Sequence, residues 1–361
     1  MINVLFLISS AATGGGIQRS VSMISSALNK KEEYSVTVVS LFDYKEKRYD
    51  YGKITNHIKG SLKSNNNIKR IFFKAKTECA SLLSKVDFDS IVIEGLGLVP
   101  LVPKKILKNK SIKIIVRDHS GYSNFKKFGL SWVGLKMSLK YADTFIVLTN
   151  ENKEEYSRMF PKVRNKFKVI PNTIEPNVKR SPYNPNSNKI CFVGRLSTEK
   201  GPHLLIDAFS NVINKEQYNE WKLDVYGTGP NLDELKSLVV RKKLEANVVF
   251  KGYSNNIINL YKDYAFLVVP SKYESFGIVI LEALSVGIPV ISFDCNYGPR
   301  SLIKHEKNGL LVQNGDVGEL SDAINRMISN KEFRQVLSKN TQNINKKFGY
   351  SRVISEWENV L

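Results

Sequence analysis

The chain has 361 residues, of which 42% are hydrophobic and 24% charged, and this composition excludes a disordered or fibrous protein. Its length predicts two domains of comparable size. The three cysteines, Cys79, Cys191 and Cys295, are odd in number and widely spaced, which excludes a disulfide framework and a cysteine-bound zinc and predicts a reduced compartment.

The net charge of +20 is distributed unevenly. Residues 1–175 carry 30 Lys and Arg against 15 Asp and Glu, a net of +15, and the remainder carries +5. This asymmetry predicts an anionic partner for the first half, with nucleic acid, anionic lipid and a phosphorylated acceptor as the alternatives. No stretch approaches the ~20 apolar residues of a membrane-spanning helix, and the run 2–9 lacks a basic leader. We therefore expect a cytoplasmic chain that is soluble or attached to a membrane only at its surface.

Short apolar, β-branched runs alternate with amphipathic stretches to about residue 330, the pattern of βα units around parallel sheets. Four prolines between Ile170 and Asn188 predict a linker between the two halves. The predicted strands are Val4–Ile8, Val36–Leu41, Ser90–Glu94, Ile112–Val116, Thr144–Leu148 and Lys168–Ile170, then Ile190–Val193, Lys222–Tyr226, Val248–Phe250, Phe266–Val269, Pro289–Phe293 and Gly309–Val312. Open parallel sheets bind ligands at the carboxyl ends of their strands, so we examined the turns that follow them.

The turn Thr13–Arg19 follows the first strand and contains Gly15 and Gly16. Glycine allows close approach of the backbone to a ligand, and free amides at a helix start attract anions, so a phosphate cradle is predicted. One alternative is a tight βα turn without a ligand. Another is a nicotinamide-binding turn, in which Asp43 would bind the ribose. The spacing is not G-x-G-x-x-G, and the later Gly227–Gly229 is an isolated G-x-G, which is a weak signal.

Two cations, Arg195 and Lys200, lie in the loop after the first strand of the second half. Fixed cations stabilise the negative charge that a departing nucleotide diphosphate gains, and arginine adds forked donors. Either residue alone is more often a solvated loop charge.

The segment Pro270–Ala283 contains Glu274 and Glu282, separated by seven residues. A helix beginning near Phe276 would aim unpaired amides of residues 276–278 at an anion. Eight residues of helical rise are about 12 Å, so the two carboxylates would reach opposite ends of a nucleotide sugar. The alternatives are that Glu274 is a helix cap and that Glu282 is a surface residue. An unpaired Glu282 within an apolar run would, however, be energetically costly.

Two further patterns were weighed. Asp87–Asp89 imitates a metal-binding D-x-D motif, but it precedes the strand Ser90–Glu94, at the end opposite the binding edge, so a solvated turn is favoured. Basic residues alternate with aromatic ones in Arg70–Lys74 and in 125–140, which includes Trp132. This alternation fits an anionic membrane interface or, equally, aromatics packed into the core beneath a solvated basic face.

Three motifs occur in order: G-G-x-x-R at 15–19, G-R-L-x-x-x-K-G at 194–201 and E-x7-E at 274–282. With them the chain resembles the nucleotide-sugar-dependent glycosyltransferases of the GT-B fold, family 4, over nearly its whole length. The resemblance implies an α/β chain of two Rossmann-like domains facing across a cleft. Residues 1–172, joined by a returning C-terminal helix at about 345–361, would bind the acceptor, and residues 173–344 the donor.

The resemblance also implies residue roles. Arg195 and Lys200 would bind the diphosphate, Glu282 the ribose and Glu274 the donor sugar. His119, within Arg117–Ser120, resembles the family histidine. The implied catalytic set is Glu274, His119, Arg195 and Lys200, and the implied donor-binding set is Gly15, Gly16, Arg195, Lys200, Glu274, Phe276, Gly277, Ile278 and Glu282.

The implied enzyme is a retaining hexosyltransferase that needs no metal or other cofactor. It would move a hexose or N-acetylhexosamine from a nucleotide-diphosphate sugar, by family resemblance UDP, to a polyprenyl-diphosphate-linked or cell-surface glycan, as in capsule or O-antigen synthesis. An anionic membrane surface on the inner face of the cell membrane is a candidate partner, and nucleic acid is not. A UDP-sugar epimerase and a non-enzymatic basic membrane adaptor are the alternatives. Ser301 stands where relatives often carry an acid, which leaves the donor-sugar contacts there open.

Overall fold

The computed structural model of the chain describes residues 1–11, 15–43, 56–63, 71–124, 128–176, 178–213 and 216–361. It separates into two compact units. Unit 1 comprises Met1–Asn172 together with Ser351–Leu361, and unit 2 comprises Thr173–Tyr350. The described residues of 173–188, where the prolines predict a linker, lie outside helices and strands.

Unit 1 is built on a seven-stranded parallel sheet in the order β3-β2-β1-β4-β5-β6-β7. Its strands are β1 (Ile2–Ser10), β2 (Tyr34–Asp43), β3 (Asn56–Lys63), β4 (Ser90–Glu94), β5 (Lys113–Arg117), β6 (Thr144–Val147) and β7 (Phe167–Val169). Its helices are α1 (Gly16–Leu28), α2 (Phe72–Leu83), α3 (Lys104–Leu107), α4 (Leu130–Tyr141) and α5 (Asn150–Met159). The two central strands, β1 and β4, are buried because helices cover both faces of a doubly wound sheet.

Unit 2 is built on a six-stranded parallel sheet in the order β10-β9-β8-β11-β12-β13. Its strands are β8 (Lys189–Val193), β9 (Lys222–Tyr226), β10 (Val248–Gly252), β11 (Phe266–Val269), β12 (Val290–Phe293) and β13 (Gly309–Val312). Its helices are α6 (Pro202–Ile213), α7 (Leu232–Arg241), α8 (Ile257–Leu260), α9 (Ile278–Val286), α10 (Gly298–Leu302), α11 (Val317–Ser329), α12 (Lys331–Lys339) and α13 (Ile344–Phe348).

The last helix, α14 (Tyr350–Glu358), returns to unit 1 from Ser351 onwards. Its Trp357 is fully buried and packs against Phe6 of β1, with 5.8 Å between ring centroids. A buried indole contributes a large apolar area, so this contact anchors the C-terminal residues in unit 1.

All twelve predicted strands are present, with ends that differ by at most two residues. The thirteenth, β3, was missed because it is an edge strand of mixed polarity whose single buried residue is Gly60. A Cβ at Gly60 would lie 2.2 Å from the Leu41 carbonyl oxygen, so the glycine allows β2 and β3 to approach where their register shifts. Within the described residues, no helix is both long enough and apolar enough to span a bilayer.

Candidate active site

The strand orders define where each sheet can bind a ligand. In unit 1 the order reverses between β1 and β4, and in unit 2 between β8 and β11. Open α/β sheets bind ligands outside the carboxyl ends of the strands at such a switch point. Gly15 and Gly16 follow β1, Arg195 and Lys200 follow β8, and Glu274 follows β11. The motif residues of each unit therefore lie at its own switch point.

The loop after β8 is held against the loop after β11 by backbone contacts. Lys200 ends a 3₁₀ turn, and Gly201 follows it in the left-handed conformation, with φ of 69°. A Cβ at Gly201 would lie 2.0 Å from the carbonyl oxygen of Pro270, so only glycine fits there. The Lys272 amide donates to the Glu199 carbonyl oxygen at 2.8 Å. The two loops thereby hold Lys200 beside the segment that carries Glu274.

Lys200 and Glu274 form an ion pair, with 2.6 Å between Nζ and Oε1. The Ser271 hydroxyl donates to the same carboxylate oxygen at 2.9 Å. The Lys200 side chain is 33% exposed and that of Glu274 is 12% exposed, so both remain accessible to a ligand. A lysine ammonium has three donors, so Lys200 can bind an anion while it contacts Glu274. Arg195 lies at the start of the same loop, and its side chain is exposed to solvent.

The helix after Glu274 begins two residues later than predicted. Gly277 adopts a φ of 85° and caps α9, whose first residue is Ile278. The Ile280 amide donates to the Gly277 carbonyl oxygen at 3.0 Å, so the amides of Ile278 and Val279 are the ones available to an anion. Phe276 is buried and packs edge-on against Phe348, so only its backbone can face a ligand.

The predicted 12 Å separation of the two glutamates assumed that both lie on one helix. This assumption was wrong, because Glu274 lies before α9. Glu282 lies in the middle of α9 and is 2% exposed. Its burial excludes the alternative of an ordinary surface residue.

The turn after β12 supports the backbone around Glu274. The Gly298 amide donates to the Glu274 carbonyl oxygen at 3.2 Å, and a Cβ at Gly298 would lie 2.5 Å from the Phe276 carbonyl group. The nearby thiol of Cys295 is buried, which raises its pKa to about 12, so it stays neutral at physiological pH. Ser301 donates to the Gly298 carbonyl oxygen at 2.7 Å and so stabilises its own turn.

Gly227 and Gly229 have a structural role that sequence reasoning missed. A Cβ at Gly227 would lie 1.8 Å from the Gly194 carbonyl oxygen, and one at Gly229 would lie 2.2 Å from that of Leu196. The Leu196 amide donates to the Thr228 carbonyl oxygen at 3.0 Å. The isolated G-x-G therefore allows the loop after β9 to approach the loop that begins with Arg195.

We predict that Gly227→Ala destabilises unit 2 by about 3 kcal/mol, because the new Cβ would meet a carbonyl and the residue has a φ of 134°. Gly252→Ala is the matched control: Gly252 also has positive φ, of 70°, but apart from its chain neighbours no described residue has an atom within 4 Å of its Cβ position. Its expected cost is about 1 kcal/mol. Thermal unfolding of both variants checks this, and equal shifts in Tm would contradict it.

In unit 1, Gly15 caps α1 and Gly16 is its first residue, while residues 13 and 14 of the predicted turn lie outside the described residues. The Gln18 side-chain amide donates to the Ser10 carbonyl oxygen at 3.0 Å. A Cβ at Gly15 would lie 2.7 Å from the Gln18 Oε1 atom. The described part of the turn therefore keeps the start of α1 close to the end of β1, as an anion-binding turn requires.

His119 follows β5 and its ring forms a short hydrogen bond with Glu94, the last residue of β4. Sequence reasoning missed Glu94, although an acid that ends a predicted apolar strand at the binding edge is a signal that could have found it. The neighbouring Asp118 is fully buried, which raises its pKa, and hydrogen bonds from Ser120, Tyr156 and Gly121 oppose the rise. This acid holds the loop that carries His119.

The structure describes parts of the other sequence patterns that could have marked a site. Asp89 precedes β4 and accepts a hydrogen bond from the Asn3 amide at 2.8 Å, so Asp87–Asp89 is a turn at the amino end of the sheet. The side chain of Asp43, and residues 70 and 125–127 of the two basic aromatic segments, lie outside the described residues. Phe73 and Phe128 are exposed, whereas Trp132 is half-buried beneath Lys136. In the described parts of the chain, no three His, Cys, Asp or Glu side chains are grouped to hold a metal ion.

Both halves of the chain are similar to known glycosyltransferases. Residues 14–178 match the family model described as Glycosyltransferase Family 4, and residues 173–344 match the one described as Glycosyl transferases group 1. The chain is 27% identical over 358 residues to the poly(ribitol-phosphate) alpha-N-acetylglucosaminyltransferase of Staphylococcus aureus, covering 94% of this chain and 70% of that relative.

The chain is also 25% identical over 366 residues to a Campylobacter jejuni alpha-1,4-N-acetyl-D-galactosaminyltransferase named for a diNAcBac-PP-undecaprenol-linked acceptor, covering 99% of this chain and 97% of that protein. Among solved structures, a mutant of S. aureus TarM in complex with fondaparinux, alpha-GlcNAc-glycerol and UDP has a TM-score of 0.83 at 18% identity, covering 100% and 99% of the two chains.

The fold and these matches define the chain as a glycosyltransferase of the GT-B fold. Its first half is similar to a Family 4 glycosyltransferase domain and its second half to a group 1 domain. The predicted α/β fold of two Rossmann-like domains and the predicted enzyme class are thereby confirmed.

Proposed function

We propose that this glycosyltransferase is a retaining, metal-independent hexosyltransferase that uses a UDP-sugar donor and a phosphate-bearing glycan acceptor. The observation that carries the proposal is the Lys200–Glu274 ion pair, held at the switch point of unit 2 beside the amino end of α9. Fixed cations and helix amides stabilise the charge that develops on a departing diphosphate. In this proposal Arg195 and Lys200 bind the diphosphate, and Glu274 binds the sugar.

Glu282 completes the donor site by accepting hydrogen bonds from the ribose hydroxyls. A carboxylate is the group that can accept from two neighbouring hydroxyls at once. Its position within α9, one turn beyond the amino end of the helix, supports a contact with the nucleoside rather than with the diphosphate. In unit 1, we propose that His119 contacts the substrate and that the turn with Gly15 and Gly16 binds a phosphate group.

The acceptor class is supported by two kinds of observation. The relatives named above act on poly(ribitol-phosphate) and on a saccharide linked to undecaprenol through PP, and both of these acceptors contain phosphate. Residues 1–175 carry a net charge of +15, which would attract such an anion. A location at the inner face of the cell membrane accords with a lipid-linked acceptor and stays a prediction.

The test is an assay with UDP- and GDP-linked hexoses and N-acetylhexosamines, offered with a polyol-phosphate glycan and with a polyprenyl-diphosphate saccharide. We expect UDP release only with an acceptor present, an α-linked product from an α-linked donor by proton NMR, and an unchanged rate in excess chelator. Epimerised donor without any acceptor would favour the epimerase alternative. Inactivation by the chelator would exclude the metal-free mechanism.

A further inference from the structure

A buried charged cluster lies behind His119 in unit 1. Glu94 and Arg117 end the neighbouring strands β4 and β5, and their side chains are fully buried. Arg117 Nη1 lies 3.8 Å from Glu94 Oε1, and the guanidinium donates to Ser20 at 3.0 Å and to Asn172 at 2.9 Å. Its carbon Cζ lies 5.2 Å from the ring centroid of Trp357. Burial lowers the pKa of Arg117 and Glu94 opposes this, so the arginine is the counter-charge of the acid.

The hydrogen bond between Glu94 and His119 fixes the orientation of the imidazole. His119 Nε2 contacts Glu94 Oε2, and an ionised carboxylate can only accept, so Nε2 is the donor. Among the described residues, Glu94 Oε1 accepts no hydrogen bond, which leaves His119 as the hydrogen-bond partner of this acid. The His119 side chain is 10% exposed, so part of the ring reaches the surface of unit 1.

We infer that Glu94 is a positioning residue: it holds His119 as the Nε2–H tautomer and presents Nδ1 to the substrate. The inference rests on the proposed function, in which His119 contacts the substrate. A buried acid costs several kcal/mol unless it is paired, and the other four residues of β4 are uncharged. Asp118 already anchors the backbone of the loop through Ser120 and Gly121. Loop structure therefore does not require Glu94, which besides balancing the charge of Arg117 contacts only the histidine ring among the described residues.

Glu94→Gln tests the inference because it keeps the shape and removes one acceptor. Arg117 has only donors, so the single oxygen of the new amide is expected to face Arg117 and its NH₂ group to face His119. Nε2 must then accept, and the ring hydrogen moves to Nδ1. Imidazole ¹⁵N NMR should show Nε2 protonated in the wild type and Nδ1 protonated in the variant. Glu78→Gln, which alters an acid of α2 bonded to Ser61, is the matched control and should leave the His119 signals unchanged.

Transfer kinetics provide the second readout. Glu94→Gln should lower kcat about 10- to 100-fold, the effect typical of losing a partner that orients a functional histidine, with a smaller change in donor KM. In a His119→Ala background, the same substitution should cost less than about 3-fold, because the ring it positions is gone. An equal loss in both backgrounds would assign Glu94 a purely structural role and overturn the inference.

The two readouts separate the possible failures. Normal transfer by His119→Ala would refute the role of His119 in the proposed function, while the NMR measurement would still judge Glu94. Glu94→Gln could fail to fold because the charge of Arg117 would have no counter-charge. In that case the ¹⁵N spectrum of the wild type tests the inference. An unprotonated Nε2 in that spectrum would overturn the inference, and a protonated Nε2 would support it.

Discussion

Replacing Lys200 with alanine is expected to lower transfer about 100- to 1,000-fold with both units still folded. In the proposed mechanism the ammonium stabilises the diphosphate as its bond to the sugar breaks, and loss of one preorganised donor to a developing anion typically has an effect of this size. The backbone contacts that hold the loop, from Lys272 to Glu199 and from Gly201 to Pro270, do not involve the Lys200 side chain. The fold should therefore survive the change.

Lys272→Ala is the matched control, since it removes a lysine from the loop that carries Glu274 without removing a charge from the proposed diphosphate site. The Lys272 backbone contacts persist in that variant, and its transfer rate should stay within about 3-fold of the wild type, the range of an ordinary surface charge. Steady-state kinetics and thermal unfolding measure both variants. Transfer by Lys200→Ala at the wild-type rate would remove the basis of the donor-site assignment.

The sequence predicts most of the fold because the buried strands are short β-branched runs with clear ends. β4 and β6 are buried along their whole lengths, and their predicted and observed bounds differ by at most one residue. β3 has no such signal, because its burial comes from pairing with β2 at the sheet edge rather than from its own side chains. The periodicity of the sequence does not predict strand order, and the strand order brings β8 next to β11.

Sequence reasoning named most residues of the candidate site but not the contacts between them. Lys200 and Glu274 are 74 residues apart, and only the folded loops show that they pair with each other. Glu94 lies 25 residues before His119, and its role depends on the adjacency of β4 and β5. The start of α9 was misplaced because the left-handed Gly277 delays the helix, and sequence alone does not fix the φ of a glycine.

The Lys200–Glu274 pair leads to a second strong prediction, in which binding and transfer change in different directions. Without a ligand, Glu274 neutralises part of the Lys200 charge at 2.6 Å. UDP lacks the transferred sugar that Glu274 is proposed to bind, so the carboxylate only competes with the diphosphate for Lys200. Glu274→Gln should therefore bind UDP as tightly as the wild type or up to about 5-fold more tightly, the modest gain expected for a solvent-screened pair.

The same Glu274→Gln variant should lose about 100-fold or more in transfer, because the sugar no longer meets a carboxylate as positive charge develops at its anomeric carbon. Lys200→Ala should weaken UDP binding instead, so calorimetry with UDP separates the two residues by the sign of their effects. Ser271→Ala, which removes a neutral donor to the same Oε1 atom, is the control for general disturbance of the loop. If Glu274→Gln and Lys200→Ala both weakened UDP binding equally, Glu274 would serve only to hold Lys200 in place, and its assignment to the donor sugar would be wrong.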